Sequence, residues 1–249
     1  HTTMCYYVEI NLSRKELHKR FNVPMIVDPR YMQANVFSAF LKPYIPVITS
    51  EFREIIQNYQ WGLIPSWVKD QSTADKISNS TYNARAESIF EKSSFRAAAN
   101  YKRCLVLAHG FFEWHTQGKY KIPYYIKRKD NEAFAFAGLY EKWLQPKNNH
   151  LIETVTIITT KANPLLEKIH NTKKRMPVIL EREAEREFID ENISKKQVKD
   201  FLKPIDETEL EAYPVNKQLF LKHKDPLDPE ILNPVSDYHS GDLFETNFF

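Results

Sequence analysis

The sequence predicts a single α+β domain in which strands dominate and helices interrupt them irregularly. Its 249 residues are close to the size at which one hydrophobic core stops growing. Hydrophobic residues make up 42% of the chain, enough for a sizeable core, and no shift in composition marks a linker between two domains. Short β-branched and aromatic runs recur without the regular alternation of strand and helix that builds a doubly wound parallel sheet.

The first part of the chain contains clear signals for individual elements. Residues 5–10 (CYYVEI) predict a strand, and the Ser-Arg-Lys-Glu sequence at 13–16 predicts a capping box that opens a helix through about Phe21. Strands are predicted at 44–50 and 59–63. Prolines in this region predict that these strands are edges or bulges.

The later elements follow from the same kinds of signal. The polar stretch 71–81 lacks periodicity and predicts a loop. Asn163 followed by Pro164 predicts a short helix that ends near His170. From Asp225 the chain is rich in Pro and Asn, and we expect it to wrap the surface. The other predicted elements are a helix at 87–100, a buried strand at 103–114, a meander over 111–143, strands at 153–160 and 175–180, and helices at 183–192 and 194–202.

Composition and charge exclude few functions. The formal net charge of +3 neither establishes nor excludes a nucleic-acid partner, so any DNA site must come from a local patch. Thirteen Tyr and sixteen Phe fit either a β-sheet core or a surface that stacks on bases. No apolar run approaches the roughly 20 residues of a transmembrane helix, and we expect no membrane partner. Without a metal-ligand spacing or a phosphate-binding glycine loop, we expect no metal and no cofactor.

The two cysteines, Cys5 and Cys104, lie far apart in the sequence. Because no signal peptide is visible, we expect a cytoplasmic, reducing setting, in which the two cysteines do not form a disulfide. Met4 follows His1–Thr3, which we interpret as a leftover of an expression tag, although a gene that begins upstream would also explain it. The predicted domain then spans residues 4–249.

Cys5 is the most informative residue if Met4 is the native start and is trimmed. Cys5 would then carry a free α-amine, with a pKa of about 8, and a thiol, with a pKa of about 8.5. Such a 1,2-aminothiol condenses with an aldehyde, because the amine forms an imine and the sulfur closes onto it as a five-membered thiazolidine. The structural alternative is that Cys5 is a small core residue.

Three more side chains suit proton transfer or positioning, and each has a structural alternative. Glu113, in GFFEW, ends an apolar strand, where burial would raise its pKa, unless it points outward. His170 acts as an acid or base, or else it stabilises the C-terminus of its helix. Asn83, in YNARAE, orients a nucleophile or caps a helix.

Five residues are candidates for contact with DNA. Arg85 has a planar guanidinium that suits a phosphate, and Lys174 and Arg175 belong to a basic run after His170. Trp61 and Trp67 lie either in the core or beside a basic groove, where they would stack on a base.

Together these residues resemble the SOS-response-associated peptidase (SRAP) family of abasic-site processing proteins. The matching motifs occur in the family's order and span roughly residues 4–220. Each motif alone is weak, whereas the ordered set is specific. The motifs are Met4-Cys5, WGLIPSW at 61–67, NARAE at 83–87, the F…CL…A…GFFEW pattern of 95–114, TTxAN at 159–163, Ile169-His170 and RMPVIL at 175–180.

The resemblance implies a fold, a substrate and a role for each site residue. The fold would have a barrel-like, mainly antiparallel β core with peripheral helices and a channel for single-stranded DNA or single-/double-stranded junctions. Cys5 would form a covalent thiazolidine with an abasic site while Asn83 positions its amine. Glu113 would shuttle protons, and His170 would assist opening of the sugar ring or reversal of the link. Arg85 matches the family's phosphate-binding arginine.

The resemblance also implies that the same site releases the crosslink or cuts its own chain, which is the chemistry of a hydrolase of peptide bonds. We further expect a monomer that associates with the nucleoid when it is bound to DNA.

The sequence departs from the family pattern in three places. Tyr6-Tyr7 replaces Gly-Arg, which removes one expected DNA-contacting arginine. Asn171 to Lys174 stand where the family has one residue between its His and Arg-Met-Pro, which is an insertion that adds two lysines before Arg175. GFFEW replaces GFYEW and loses a hydroxyl.

Two other functions stay open at this point. A thiol peptidase or autoprotease would use Cys5 as nucleophile, His170 as base and Asn83 as the orienting group. A non-covalent single-strand DNA-binding module would use Cys5 only for packing.

Overall fold

The computed structural model describes residues 5–220, 225 and 227–235, without the side chains of residues 218 and 219. The tag interpretation for residues 1–3 and much of the predicted C-terminal wrapping segment lie outside the described residues. None of the helices within the described ranges is long and apolar enough to cross a membrane.

The described residues form twelve strands and six α-helices. The strands are β1 (Tyr7–Ile10), β2 (Ala34–Ser38), β3 (Tyr44–Thr49), β4 (Gln57–Trp61), β5 (Asn83–Arg85), β6 (Arg103–Ala108), β7 (Gly110–Gln117), β8 (Tyr120–Arg128), β9 (Phe134–Gln145), β10 (His150–Lys161), β11 (Arg175–Pro177) and β12 (Leu210–Pro214). The helices are α1 (Arg14–Phe21), α2 (Gln71–Ser78), α3 (Arg96–Tyr101), α4 (Pro164–Ile169), α5 (Arg182–Phe188) and α6 (Lys195–Phe201).

Five strands close into a barrel, which confirms the predicted α+β fold with a barrel-like core. β10, β4, β3, β6 and β9 pair in that order, and β9 pairs again with β10 to complete the ring. Every pair in the ring is antiparallel except β10 with β4. The short strands β5 and β11 continue the sheet at the end of β10, where Thr159 pairs with Arg85 on one edge and with Pro177 on the other.

A second, fully antiparallel sheet packs against the barrel. Its order is β12, β8, β7, β1 and β2. Successive residues of a strand point to opposite faces, and Phe111 and Phe112 on β7 follow this rule. Phe111 belongs to the core shared with Val47 and Trp61 of the barrel, whereas Phe112 packs with Val215 on the opposite face. Both faces of the second sheet are therefore covered.

Two predicted helix starts are confirmed. Ser13 and Glu16 form a reciprocal capping box at the start of α1. Asn163 caps α4 by accepting a hydrogen bond of 2.9 Å from the Leu166 N–H. Both caps satisfy backbone donors that have no partner inside the helix.

Two predicted elements are wrong because the periodicity of a short segment is weak. The stretch predicted as a loop contains α2, which Asp70 caps by accepting a hydrogen bond of 2.8 Å from the Thr73 N–H. In α2 only Ala74 and Ser78 are buried, so the helix has almost no apolar stripe. The helix predicted over 87–100 is regular only from Arg96.

Three strand predictions change once the sheets are known. The apolar run 103–114 is two strands of different sheets, because the chain turns at His109 between β6 and β7. The predicted meander is also divided, since β8 and β9 lie in different sheets. β3 is central rather than an edge. Its Pro46 is tolerated because pairing with β6 begins one residue later, at Val47.

The buried carboxylate of Glu9 anchors β1, the strand that follows Cys5. Its Oε2 accepts a hydrogen bond of 3.1 Å from the Tyr125 hydroxyl and lies 2.7 Å from His109 Nδ1. His109 Nε2 lies 3.1 Å from the Asn131 carbonyl, so both ring nitrogens face acceptors. Burial disfavours the imidazolium, but the hydrogen bond and charge of Glu9 outweigh burial and raise the pKa of His109.

A buried cation joins two helices to the barrel. Arg103 has no exposed surface, and its guanidinium donates only to main-chain carbonyls. The acceptors are Ala99 at 3.2 Å, Asn100 at 2.7 Å, Phe188 at 2.9 Å and Asp190 at 2.6 Å. These carbonyls end α3 and α5, where a cation also opposes the helix dipoles.

We expect Arg103→Met to lower the free energy of unfolding by about 3–5 kcal/mol, because it leaves several buried carbonyls without donors. Urea unfolding followed by circular dichroism measures the change. Arg96→Met, at an exposed position of α3, is the matched control and should stay within about 0.5 kcal/mol. Equal losses in the two variants would contradict this role for Arg103.

Candidate active site

Four predicted site residues meet at the seam between the barrel and the second sheet. Cys5 precedes β1 and Glu113 lies on β7, so the second sheet provides both. Asn83 begins β5 at the end of the barrel, and His170 ends α4. All four are buried, with exposed fractions of 6% or less.

The register of β1 against β7 brings Cys5 close to Glu113. Tyr7 pairs with Phe112 and Val8 with Phe111. In an antiparallel pair, one step back along β1 is one step forward along β7, so Tyr6 comes level with Glu113. In agreement with this, burial and then the charge of Glu113 raise the pKa of both Cys5 and Tyr6.

Asn83 links the two sheets through a side-chain hydrogen bond. β5 pairs with β10, with Asn83 opposite Ile157, and this pairing aims the amide at the segment before β1. Its Nδ2 donates to the Cys5 carbonyl at 2.9 Å. Its Oδ1 is buried and has no hydrogen-bond partner among the described residues. The amide therefore holds the Cys5 main chain and retains one acceptor.

Glu113 is a neutral acid at physiological pH. Burial raises its pKa to about 8, and a hydrogen bond from the Trp114 main chain only partly opposes the effect. Its Oε1 is buried without a partner among the residues described. A protonated carboxyl group in this position can give up a proton and later recover one.

His170 is oriented by the turn that follows α4. Its Nδ1 lies 2.9 Å from the Arg175 carbonyl, which can only accept, so Nδ1 carries the hydrogen. The same Nδ1 is 3.8 Å from Glu113 Oε2. In the neutral ring, Nε2 is then the nitrogen that can take up a proton.

The Cys5 thiol is uncharged. Burial and then Glu113 raise its pKa well above the usual range, and Sγ donates to the Tyr7 carbonyl at 3.9 Å. A cysteine peptidase needs the opposite effect, a lowered thiol pKa beside an imidazole. The site thus resembles one that starts with the amine of Cys5 rather than with its thiolate.

The predicted DNA-contacting residues differ in their exposure. Arg85 is exposed two residues beyond Asn83, on the same face of β5. Trp67 is 51% exposed and its Nε1 donates to the Ser93 carbonyl at 3.3 Å. Lys174 is exposed and lies 3.6 Å from Glu167. Contact of these three residues with DNA therefore stays a prediction.

Two other candidates are engaged within the protein. Trp61 has no exposed surface, and its Nε1 donates to the Tyr82 carbonyl at 2.8 Å. The prediction that Trp61 stacks on DNA is therefore wrong, because the ring packs in the barrel core.

Arg175 lies at the start of β11 despite the preceding insertion. Its guanidinium donates to Glu87 at 2.9 and 3.0 Å and to the Thr159 carbonyl at 2.7 Å.

Aromatic rings surround the position where the family pattern has Gly-Arg. Tyr6 packs against Phe40 with ring centroids 4.9 Å apart, and Tyr7 packs against Trp114 at 5.0 Å. Phe40 itself is 53% exposed. Cys5 is therefore flanked by rings rather than by a cation on this side.

Asn171 has a structural role that its place in the insertion before Arg175 does not predict. Its side chain makes two hydrogen bonds to Thr116 on β7, at 2.9 and 2.8 Å. No local pattern signals this contact, since the two residues are 55 positions apart.

The described residues contain no group of three or more His, Cys, Asp or Glu side chains that could hold a metal ion.

Known proteins are similar to this chain in both sequence and fold. The family "SOS response associated peptidase (SRAP)" matches residues 4–220. The abasic site processing protein YoqW of Bacillus subtilis is 39% identical over 203 residues, which are 81% of this chain and 87% of YoqW. The abasic site processing protein HMCES of Gallus gallus is 33% identical over 146 residues, covering 51% of this chain and 42% of HMCES.

A crystal structure of a Bacteroides thetaiotaomicron protein superimposes with a TM-score of 0.85 at 37% identity. It covers 93% of this chain and 100% of that protein. The fold, the ordered motifs and the convergence of their residues at one seam agree with these matches. The chain belongs to the SOS response associated peptidase family.

Proposed function

We propose that this protein processes abasic sites in DNA by capturing the sugar aldehyde with the α-amine and thiol of Cys5. The observation that carries the proposal is the meeting of Asn83, Glu113 and His170 around Cys5 at the sheet seam. Two buried oxygens there, Asn83 Oδ1 and Glu113 Oε1, have no partner among the described residues and suit a bound reactant. Relatives named as abasic site processing proteins support the choice of substrate.

The first step needs a free amine on Cys5, so the Met4–Cys5 peptide bond must be hydrolysed beforehand. Removal of an initiator Met would do this, and autocleavage at the same site is the hydrolase activity that we assign to the protein. Asn83 Nδ2 holds the Cys5 carbonyl, and its Oδ1 is available to accept an N–H of the amine. The amine adds to C1′ of the ring-opened sugar and forms a carbinolamine.

Glu113 then cycles one proton through the next two steps. The neutral carboxyl group protonates the carbinolamine hydroxyl, water leaves and an iminium ion remains. The resulting carboxylate takes the proton of the Cys5 thiol, and the sulfur adds to the iminium carbon. One aldehyde and one aminothiol thus yield one thiazolidine and one water, and Glu113 ends protonated. Positioned acid–base groups of this kind contribute about 10²–10⁴-fold in rate.

His170 serves the steps in which the sugar ring opens and the link is reversed. Opening breaks the C1′–O4′ bond, and O4′ must gain the proton that the C1′ hydroxyl loses. His170 is near enough to Glu113 for the two to act as an acid–base pair. Release of the crosslink follows the capture steps in reverse.

The DNA is proposed to be single-stranded or to contain a single-/double-stranded junction. Arg85 would contact a phosphate beside the lesion, and Trp67 would stack on a base. Lys174 adds a cation on the turn after His170. A monomer in the cytoplasm, associated with the nucleoid on DNA, fits this role.

We expect the chain starting at Met4, with Met removal verified by mass, to form a denaturant-resistant adduct with an abasic oligonucleotide without borohydride. Cys5→Ser should abolish the thiazolidine, although borohydride would still trap an imine. Cys104→Ser changes the other buried cysteine and is the matched control that keeps the adduct. Gel electrophoresis and intact mass report the product.

Two results would decide against covalent capture by the amine. The first is no adduct from protein with a processed Cys5. The second is an equal yield from protein that retains residues ahead of Cys5, which would favour the thiol alone.

Glu113→Gln should slow adduct formation about 10²-fold and remove a descending limb near pH 8 from the pH–rate profile. The same variant should be more stable than the wild type, by an amount that grows with pH. Below pH 4.5 the carboxyl group is protonated in both the folded and the unfolded state, so its ionisation does not lower the free energy of unfolding. Between 4.5 and about 8 only the unfolded state ionises, so the wild type loses stability.

We expect a difference in unfolding free energy near zero at pH 4 and about 1–3 kcal/mol at pH 8. Urea unfolding across this range measures it. Glu91→Gln, at an exposed position, should follow the wild type. A pH-independent difference would mean that Glu113 is ionised in the folded protein.

Arg85→Gln should weaken binding of single-stranded DNA and lower the slope of log K against log salt by about 1. The reason is that one phosphate contact fewer releases one counterion fewer. Fluorescence anisotropy at several salt concentrations measures the slope. Arg14→Gln, at an exposed position of α1, is the control. An equal decrease in this variant would mean that Arg85 contributes only to the overall charge and makes no specific phosphate contact.

A further inference from the structure

Beyond Phe112, the edge of β7 is paired at Thr116 by a side chain instead of a strand. β1 pairs with β7 only as far as Tyr7 opposite Phe112. Further along, the Thr116 N–H donates to Asn171 Oδ1 at 2.9 Å, and Asn171 Nδ2 donates to the Thr116 carbonyl at 2.8 Å. The amide thus provides the donor and the acceptor that a neighbouring strand would provide.

A second contact fastens the same two segments together. His115 Nδ1 lies 2.8 Å from the Lys168 carbonyl, near the end of α4. Because a carbonyl only accepts, Nδ1 donates, so residues 115 and 116 of β7 hold residues 168 and 171. His170 lies between these two attachment points.

These contacts fix the segment that carries His170 to the strand that carries Glu113. Glu113 is on the same strand as Thr116, three residues earlier. One hydrogen bond from His115 and two with Asn171 attach residues 168 and 171, on either side of His170, to this strand. They hold the main chain that carries the His170 ring, whose Nδ1 is 3.8 Å from Glu113 Oε2. Among the described residues, Cys5 and Tyr6 from the segment before β1 also interact electrostatically with Glu113.

We propose that Asn171 is a positioning residue that sets the spacing of the Glu113–His170 pair and thereby the rate of proton transfer between this pair and the substrate. This proposal rests on the proposed capture of abasic sites. Asn171 acts through its amide on the main chain of β7 and need not touch the substrate. The insertion between His170 and Arg175 therefore contributes to the site and is not only a longer loop.

A displacement of about 1 Å at reacting groups can cost up to about 10²-fold in rate. We therefore expect Asn171→Ala to lower the rate of adduct formation by about 10–100-fold and to displace the descending limb of its pH profile. Asn171→Asp keeps an acceptor for the Thr116 N–H but loses the donor to the Thr116 carbonyl, so it should show a similar loss. Thr172→Ala, at an exposed position of the same turn, is the matched control and should retain the wild-type rate.

NMR titration of the His170 ring nitrogens in DNA-free protein provides a readout that does not depend on capture. The proposal expects the titration midpoint and the Nδ1 shift to change in Asn171→Ala or Asn171→Asp, whichever folds, and not in Thr172→Ala. A merely structural role would lower the melting temperature and leave the ring titration and the pH profile unchanged, which would overturn it.

The two proposals can fail separately. If the wild type forms an adduct and the Asn171 variants match it in rate and His170 titration, capture stands and the positioning role is rejected. If the wild type forms no adduct, the proposed function is rejected, and an unchanged His170 titration rejects the positioning role independently.

Discussion

The hydrogen bond from Asn83 Nδ2 to the Cys5 carbonyl is the contact on which the site depends. It joins the barrel to the second sheet directly at the residue that we propose to react. A backbone carbonyl held at 2.9 Å restricts the rotation of the Cys5 main chain, which in the proposed function would orient the amine for attack. Pre-organisation of this kind removes part of the entropic cost of bringing two reactants together.

Burial determines the charge state of the reacting groups. In water, Glu113 would be ionised at neutral pH, but at the seam it is a neutral acid because desolvation disfavours its charged form. Cys5 remains a thiol for the same reason. An uncharged acid beside an uncharged thiol suits a condensation that first expels water and then adds sulfur. The site lacks the lowered thiol pKa from which a cysteine peptidase attacks other peptides as a thiolate.

Much of the structure could be predicted from local patterns. The cap residues Ser13 and Asn163 correctly marked two helix starts, because a cap is a contact within three residues. The polar helix α2 has almost no apolar stripe, so no periodicity predicts it. The run 103–114 predicts one strand, since an apolar sequence does not reveal that the chain changes sheets at His109. Trp61 shows the same limit, because an aromatic residue can belong to a core or to a stacking surface, and only its burial shows which.

Ordered motifs and periodicity are local properties, so the fold class, the family and the candidate reacting residues follow from the amino-acid sequence alone. Which of these residues meet, how they are charged and what holds them follow only from the packing of distant segments. The Glu113 acid, the buried Trp61 and the Asn171 contact with Thr116 depend on strand register and burial between segments far apart in the chain. No local pattern encodes such contacts, since each one exists only after both sheets and α4 have packed together.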